Sequence, residues 1–345
     1  MASAAHPVTV TLCLLGFGNV GRGFCELVAG QEDELAREFG LRFAVSAIGT
    51  RHGSLLEPVG LRAGEVLART KAGLPSPPRP ADELIAASGA GVLVESTVME
   101  HAGAPTATGH IESAFRHGLD VVTVNKGPVA YNYRRLQDLA QSLGRRWRFE
   151  GTVMDGLPIF NLLEFALPGA RLLGFEAVFN GTTNFIIDAM AQGRSFDDAL
   201  SQTQADGYAE ADPSNDIDGW DAAAKASALA NVAMDARLTP DDVEKQSLRD
   251  VPLERILDAR REGKRLRMLT SGVRAAGGAV AARVRAVELP LDHPLAPVGG
   301  PSLGAVLHTD LMGDVVVAEL GALVPQTAYA VLSDLLTLHR GIGSS

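Results

Sequence analysis

The densest group of chemically active side chains lies between Gly207 and Lys225, where the sequence reads GYAEADPSNDIDGWDAAAK. Its carboxylates are Glu210, Asp212, Asp216, Asp218 and Asp221. Glycine and proline break the first part of this stretch into a loop, and the run Trp220–Met234, rich in Ala and Leu, predicts a buried helix. The loop therefore brings its carboxylates to the N-terminus of that helix, where a negative charge is favoured by roughly 0.3–1 kcal/mol.

Asp221 and Lys225 are four residues apart in the predicted helix, so their side chains share one face, a single turn apart. A carboxylate that fixes an ammonium group, with more carboxylates nearby, suits a site that binds a cationic substrate and donates a proton to it. The alternative is a solvated acidic loop followed by a surface ion pair, which would contribute only about 0.2–0.5 kcal/mol.

A glycine-rich motif stands near the N-terminus, in the context that predicts a dinucleotide site. The apolar strand Val8–Leu15 leads into Gly-Phe-Gly-Asn-Val-Gly, and a helical stretch follows through Phe39. In such a motif the first glycine makes the tight turn, the second lets a pyrophosphate approach, and the third allows close helix packing. The candidate cofactor residues are Gly16, Gly18, Asn19, Val20 and Gly21. The alternative is a glycine-rich turn with a purely structural role.

The end of the second predicted strand indicates which cofactor is preferred. The strand Phe43–Ile48 is followed by Gly-Thr-Arg-His, with Arg51 where an NAD site usually carries an acid. An acid there binds the ribose 2′-hydroxyl of NAD, whereas an arginine accommodates the 2′-phosphate of NADP. Arg51 therefore favours NADP, with NAD as the second choice. The alternative is that Arg51 is a solvated loop residue.

Two further strand ends carry candidate cofactor residues. The strands Gly91–Glu95 and Val121–Val124 precede Thr97 and Lys126, respectively. Ligands of a doubly wound sheet bind outside the carboxyl ends of its strands, so both residues are expected at the cofactor cleft. Without further support, Lys126 would be interpreted as a surface lysine in a tight turn.

Composition restricts the class of protein. A chain of 345 residues with 46% hydrophobic and 21% charged residues is typical of a globular enzyme with two domains or one elaborated domain. A net charge of −10 without a large basic cluster argues against a nucleic-acid partner. Cys13 and Cys25 are best explained as small core residues in a reducing compartment. The N-terminus has neither a signal peptide nor a membrane span, so the expected location is the cytoplasm.

The acidic stretch resembles the signature of homoserine dehydrogenases, which joins a GY-x-E-x-DP loop to a D-x-x-x-K helix. The resemblance covers essentially the whole chain and is strongest at residues 14–23, 124–128, 180–186 and 205–225. It implies an α/β protein with an N-terminal Rossmann-type doubly wound parallel sheet and an α+β domain for substrate binding, catalysis and dimerisation. The implied bounds are 1–150, completed by a C-terminal helix within 321–345, and 151–320. A homodimer is the implied assembly.

The resemblance also implies an activity and roles for particular residues. The reaction is the interconversion of L-homoserine and L-aspartate 4-semialdehyde with NAD(P), which serves threonine and methionine biosynthesis. Lys225 would donate the proton, Asp221 would orient it, and Lys126 would support the reacting oxygen or the cofactor. Four residues are implied in substrate binding: Glu210 for the ammonium group, Asp216 to shape the pocket, Tyr208, and Thr182 for the carboxylate. A structural monovalent cation such as sodium would be held by Glu150, Val153, Asp155 and Leu157.

Three departures keep alternatives open. Glu-Ser-Thr-Val at residues 95–98 differs from the family's usual loop, and the run around Gly321 is shorter than usual, although Gly321 remains a candidate cofactor contact. The sequence ends at Ser345 without the regulatory domain that many relatives append, so we expect no threonine inhibition through such a domain. The alternatives are an NADP-dependent dehydrogenase of another small amino or hydroxy acid, and a catalytically silent NADP-binding sensor.

Overall fold

A computed structural model of the chain describes residues 6–100, 102–321 and 324–339. Internal contacts divide the described residues into two units. The first contains those of 1–128, 132–156 and 324–345, and the second contains those of 129–131 and 157–323. The predicted domain ranges, 1–150 with 321–345 and 151–320, include positions outside the described residues, and both assignments stay predictions.

The first unit contains a six-stranded sheet with the order β3-β2-β1-β4-β5-β6. Its strands are β1 (Val8–Leu15), β2 (Leu41–Thr50), β3 (Gly53–Arg62), β4 (Val92–Glu95), β5 (Asp120–Thr123) and β6 (Trp147–Arg148). All neighbouring pairs are parallel except β2 and β3. This strand order confirms the predicted Rossmann-type sheet, which places the topological switch point between β1 and β4.

The antiparallel edge strand β3 was not predicted. Only Arg51 and His52 separate it from β2, and a parallel crossover needs a dozen or more residues. The chain therefore returns as a hairpin, and Arg51 lies in its two-residue turn.

Helices surround this sheet, and a helix from the end of the chain joins its core. The helices are α1 (Asn19–Glu34), continued by a π-helical turn at Leu35–Phe39, α2 (Ala63–Arg69), α3 (Ala81–Ser88), α4 (Pro105–Arg116) and α5 (Lys126–Ser142). Val331 and Leu335 of the last helix, Val324–His339, belong to the same buried cluster as Leu12 and Leu14 of β1. Strands that are buried on both faces explain the continuous apolar runs in the sequence.

The second unit contains a second six-stranded sheet, with the order β12-β11-β7-β9-β10-β8. Its strands are β7 (Leu172–Val178), β8 (Glu244–Lys245), β9 (Lys264–Arg274), β10 (Val280–Pro290), β11 (Leu303–Thr309) and β12 (Gly313–Glu319). All pairs are antiparallel except β8 with β10. This unit thus has the predicted α+β character.

The helices of the second unit carry the acidic stretch. They are α6 (Ile159–Asn161), extended by a π-helical turn at Leu162–Ala166, α7 (Gly181–Met190), α8 (Phe196–Ala205), α9 (Ser214–Ile217), α10 (Trp220–Ala233) and α11 (Leu253–Arg261). The helix Val324–His339, which belongs to the first unit, is α12. Helices α7, α10 and α11 pack against β9, and α10 also packs against β10. The predicted helix at Trp220–Met234 is therefore present, and most of its residues are buried.

Candidate active site

Asp221 and Lys225 form a buried ion pair on α10. Lys225 Nζ lies 3.0 Å from Asp221 Oδ2, and the two side chains expose only 12% and 6% of their surface. The ammonium also donates a 2.7 Å hydrogen bond to the backbone carbonyl of Phe179, at the end of β7. The alternative of a surface ion pair does not describe this geometry, because both charges are removed from water and held in place.

Asp216, on the short helix α9, lies in the same network. Its Oδ1 accepts a 2.7 Å hydrogen bond from Asn180 Nδ2, and its Oδ2 accepts one of 2.9 Å from the Thr182 hydroxyl. Asn180 Nδ2 also donates to Asp221 Oδ2 at 3.1 Å. One amide group therefore bridges two carboxylates that are five positions apart in the sequence.

The surroundings of Asp216 raise its pKa above the usual value. Burial is the largest cause, and the negative charge of Asp221 is the second. The hydrogen bonds from Asn180 and Thr182 and the charge of Lys225 act in the opposite direction but do not cancel the effect. The site thus holds a carboxylate whose ionised form is costly.

The other predicted substrate residues lie on the loop before α9 and at the start of α7. Tyr208 is 44% exposed and stacks on Phe185, with ring centroids 3.9 Å apart. The Thr182 hydroxyl lies 2.9 Å from both Asp216 Oδ2 and the Tyr208 carbonyl oxygen, and it can donate to either. Glu210 is exposed, and its backbone carbonyl accepts a hydrogen bond from Gln204.

The structure thus brings together Thr182, Asp216, Asp221 and Lys225, and it adds Asn180 and the carbonyl of Phe179. We did not predict Asn180 as a site residue. Its position directly after a strand, with its side chain capping α7 by accepting from Thr183 N, was the available signal. A backbone carbonyl leaves no signal in the sequence.

In the first unit, the glycine-rich turn has the geometry that a dinucleotide needs. Gly16 has φ +95°, and a Cβ there would lie 2.4 Å from the carbonyl oxygen of Ser96. A Cβ on Gly21 would lie 2.8 Å from the Gly16 carbonyl oxygen, so its absence permits the close packing of helix and turn. At Gly18 nothing lies within 4 Å of the Cβ position. Asn19 and Val20 begin α1, whose first N–H groups lack intrahelical acceptors and can bind phosphate.

Arg51 lies in the exposed turn between β2 and β3. Its Nε donates a 2.8 Å hydrogen bond to His52 Nε2. The guanidinium is therefore at the carboxyl end of β2, the location at which a ribose substituent is recognised in this fold.

A polar network joins the ends of β4 and β5. Glu95 is fully buried and accepts hydrogen bonds from the backbone N–H and the hydroxyl of Thr97 and, at 3.2 Å, from the Thr123 hydroxyl. The Thr97 carbonyl accepts from Asn125 Nδ2 at 3.1 Å. Asn125 caps α5, whose first residue is Lys126, so the loop of Thr97 and the position of Lys126 are fixed by the same side chain.

The predicted cation ligands and Gly321 remain predictions. Glu150 and Val153 are buried in the first unit, Asp155 has φ +46°, and Leu157 belongs to the second unit. Among the described residues, no three or more acidic, histidine or cysteine side chains come together as a metal site, and carbonyl ligands would not form such a group. Gly321 is in a turn of the second unit with φ +76°.

Comparison with known proteins identifies the family. Residues 16–150 match the model for the NAD-binding domain of homoserine dehydrogenase, and residues 158–336 match the model for homoserine dehydrogenase itself. The chain belongs to the homoserine dehydrogenase family. This confirms the family that the sequence signature predicted, and with it the nicotinamide cofactor.

Individual homoserine dehydrogenases resemble this chain over nearly its whole length. The NAD(+)-dependent homoserine dehydrogenase of Pseudomonas canavaninivorans is 36% identical, over 95% of this chain and 96% of its own length. The homoserine dehydrogenase of Methanocaldococcus jannaschii is 32% identical over 95% and 98%. A hyperthermophilic archaeal homoserine dehydrogenase, solved in complex with NADPH, superposes with a TM-score of 0.80 at 29% identity, covering 96% and 98%. Within the described residues, no helix could span a lipid bilayer.

Proposed function

We propose that this chain interconverts L-homoserine and L-aspartate 4-semialdehyde, as a nicotinamide-dependent oxidoreductase acting on a CH–OH group. The observation that carries this proposal is the buried pair of Asp221 and Lys225, set beside Asp216 at the start of α10. A bound nicotinamide would supply or accept the hydride, and the protein would bind the substrate and move the proton.

Lys225 is the proposed acid. Its ammonium is held by Asp221 Oδ2 and by the Phe179 carbonyl, two acceptors on different elements that fix its position. In the direction of reduction it donates a proton to the aldehyde oxygen as that oxygen gains charge, and in the direction of oxidation the neutral amine takes the proton back. Asp221 orients Lys225 in both directions. Lys126, at the first turn of α5, is proposed to support the reacting oxygen or the cofactor.

Substrate binding is assigned to residues of the acidic stretch and of α7. Glu210 is proposed for the substrate's ammonium group because it is an exposed carboxylate on the loop that leads to α9. Tyr208 lies on the same loop and Thr182 lies in the first turn of α7, and both are proposed to contact the substrate. Asp216 is proposed to shape the pocket. The geometry supports a second role for Thr182, which is to position Asp216 through its hydroxyl.

NADP is the proposed preferred cofactor, with NAD as the alternative. The open space at Gly18 and the N-terminus of α1 fit a pyrophosphate, and Arg51 fits a 2′-phosphate. Relatives are named with either cofactor, so the preference depends on Arg51. Asn19, Val20, Gly21, Thr97 and Gly321 complete the proposed set.

Three further features are proposed on the strength of the family resemblance. They are a homodimer, a cytoplasmic location, and a monovalent cation held by Glu150 and by the carbonyls of Val153, Asp155 and Leu157. Glu150 is buried, as a ligand of a cation held inside the protein would be.

The decisive experiment measures NADPH consumption with L-aspartate 4-semialdehyde and with a panel of other small aldehydes and keto acids. We expect the semialdehyde to give the highest kcat/KM by at least about tenfold, the discrimination that a difference of ~1.4 kcal/mol produces. Preference for another compound would identify a dehydrogenase of a different small amino or hydroxy acid. Cofactor binding without turnover of any compound would identify an NADP-binding sensor.

A further inference from the structure

A cavity of about 400 Å³ lies in the second unit, between the C-terminal half of α7, the end of α11 and the beginning of β9. None of its lining residues was assigned to catalysis or to substrate or cofactor binding. Four of them are cationic: Arg260, Lys264, Arg265 and Arg267. Asp188 is the single acidic residue among those that line it. The four cationic residues and one acidic residue leave the lining with a net charge of +3, in a chain whose net charge is −10.

The one carboxylate in the cavity is already satisfied. Asp188 Oδ1 accepts a 2.8 Å hydrogen bond from Arg267 Nη1, and Oδ2 accepts one of 3.0 Å from Gly300 N. Lys264 is likewise compensated, by Glu262 at 2.8 Å. Arg260 donates to the neutral carbonyl of Ala191. Among the described residues, neither Arg260 nor Arg265 forms an ion pair, so positive charge is left over at the cavity.

Arg267 gives a second, independent sign of a missing partner. It is only 4% exposed, and its Nε is a buried donor without an acceptor among the described residues. A buried donor in that state is costly unless a ligand or water completes its hydrogen bonding. The pair with Asp188 explains how Arg267 joins β9 to α7, but it does not explain the unused Nε.

We propose that this cavity binds a small anionic metabolite, through a carboxylate or phosphate group placed against Arg260, Arg265 and Arg267. Guanidinium groups suit this task because their donors match the oxygens of both anions. The volume falls in the range of small-molecule sites, about 300–1,000 Å³. An occupant would contact α7 near Asp188, and the same helix is capped by Asn180 and carries Thr182 in its first turn, so the site is suited to an effector.

The test measures anion binding to the full chain by calorimetry, at constant ionic strength, with inorganic phosphate in one arm and succinate in the other. We expect saturable binding in at least one arm, and the arm that binds more tightly identifies phosphate or carboxylate as the recognised group. Arg265→Gln and, separately, Arg260→Gln should each weaken this binding at least about tenfold, because each removes a charge-assisted contact. Arg260 and Arg265 are both exposed, so both variants should fold normally.

The matched control is Arg283→Gln, which makes the same charge change at an exposed position of β10 outside the cavity. It should bind as the unmodified chain does. Absence of saturable binding in both arms would overturn the proposal. Binding that is insensitive to Arg265→Gln and Arg260→Gln would also overturn it, since phosphate would then be bound elsewhere, such as at the glycine-rich turn. Neither result depends on turnover, so the proposed enzyme activity is tested separately.

Discussion

Replacing Lys225 by Met separates the catalytic role of the ion pair from its structural role. Methionine keeps most of the aliphatic stem but removes the ammonium that contacts Asp221 and the Phe179 carbonyl. Removing one partner of a buried ion pair typically costs about 3–5 kcal/mol, because the other charge is left uncompensated. We expect the lower half of this range, since Asp221 keeps its hydrogen bond from Asn180. The kcat should fall by roughly 10²–10⁴-fold, the usual contribution of general acid–base catalysis.

The double variant Asp221→Asn/Lys225→Met distinguishes the two effects. It removes both charges, so most of the lost free energy of unfolding should return, while kcat stays as low as in Lys225→Met. The measurements are denaturant unfolding at neutral pH and steady-state turnover in both directions. Cofactor affinity, followed by nicotinamide fluorescence, should change by less than about threefold. Such a change is well below the effect of losing one charge-assisted contact to the cofactor.

Two results would refute this reasoning. If Lys225→Met kept near-normal turnover while Lys126→Met abolished it, then Lys126 would be the acid and the assigned roles would be reversed. If the double variant were as unstable as the sum of the two single variants, Asp221 and Lys225 would not be energetically coupled.

Three further predictions concern the cofactor turn, the cofactor preference and the pH dependence of stability. Gly16→Ala should destabilise the fold by roughly 1–3 kcal/mol, because φ is +95° and the new Cβ would clash with the Ser96 carbonyl. Gly18→Ala should lower the free energy of unfolding by at most about 1 kcal/mol but weaken cofactor binding. Denaturant unfolding and cofactor titration of both variants check these two expectations. Arg51→Asp should weaken NADP much more than NAD in parallel Kd measurements, and equal losses would show that Arg51 does not read the 2′-phosphate. The pKa of Asp216 is raised in the folded protein above its ordinary 3.8, mainly by burial, so its contribution to stability is fully present below that value and is lost as the pH rises through the folded pKa. Asp216→Asn should therefore reduce the loss of unfolding free energy between pH 4 and neutral pH, and an unchanged pH profile would contradict the assignment.

The parts of the fold that the sequence predicts correctly are those with strong local patterns. The strand, glycine-rich turn and helix at residues 8–34 have both the periodicity and the glycine positions of a Rossmann unit, and the structure contains each of them. The alanine-rich helix α10 was predicted to end at Met234 and ends at Ala233. In these segments local propensity and tertiary packing favour the same conformation.

The elements that were missed lack the usual signals. The hairpin of β2 and β3 turns at Arg51-His52, whereas two-residue hairpins usually carry Asn-Gly or Asp-Gly. Helix α5 was not predicted because Gly127 and Pro128 follow its first residue. Proline is tolerated in the first turn, where its missing N–H would be unpaired in any case, and the Asn125 side chain caps the helix. Both errors arise where tertiary context or capping replaces local propensity.

Residue spacing predicts the candidate site only where its residues share one local segment, and Thr182 was predicted through the family resemblance instead. The pairing of Asp221 with Lys225 follows from a four-residue spacing on one helix. The contacts of Asn180 with Asp216 and Asp221 join positions 36 and 41 residues apart, and they depend on how β7 and α7 pack against α10. No periodicity in the sequence reports such distances.

The charges of this network indicate the kind of substrate that completes it. Asp216 and Asp221 carry two negative charges when ionised, and Lys225 supplies one positive charge, so the cluster has a net charge of −1. The pKa of Asp216 is raised first by burial and second by the charge of Asp221, so its ionised form is costly in the free protein. A substrate ammonium group bound by Glu210, on the loop that leads to Asp216, would add positive charge beside this cluster, whereas a hydroxy acid would not. We therefore infer that the network favours an amino acid over a hydroxy acid of the same length, in agreement with homoserine as the substrate.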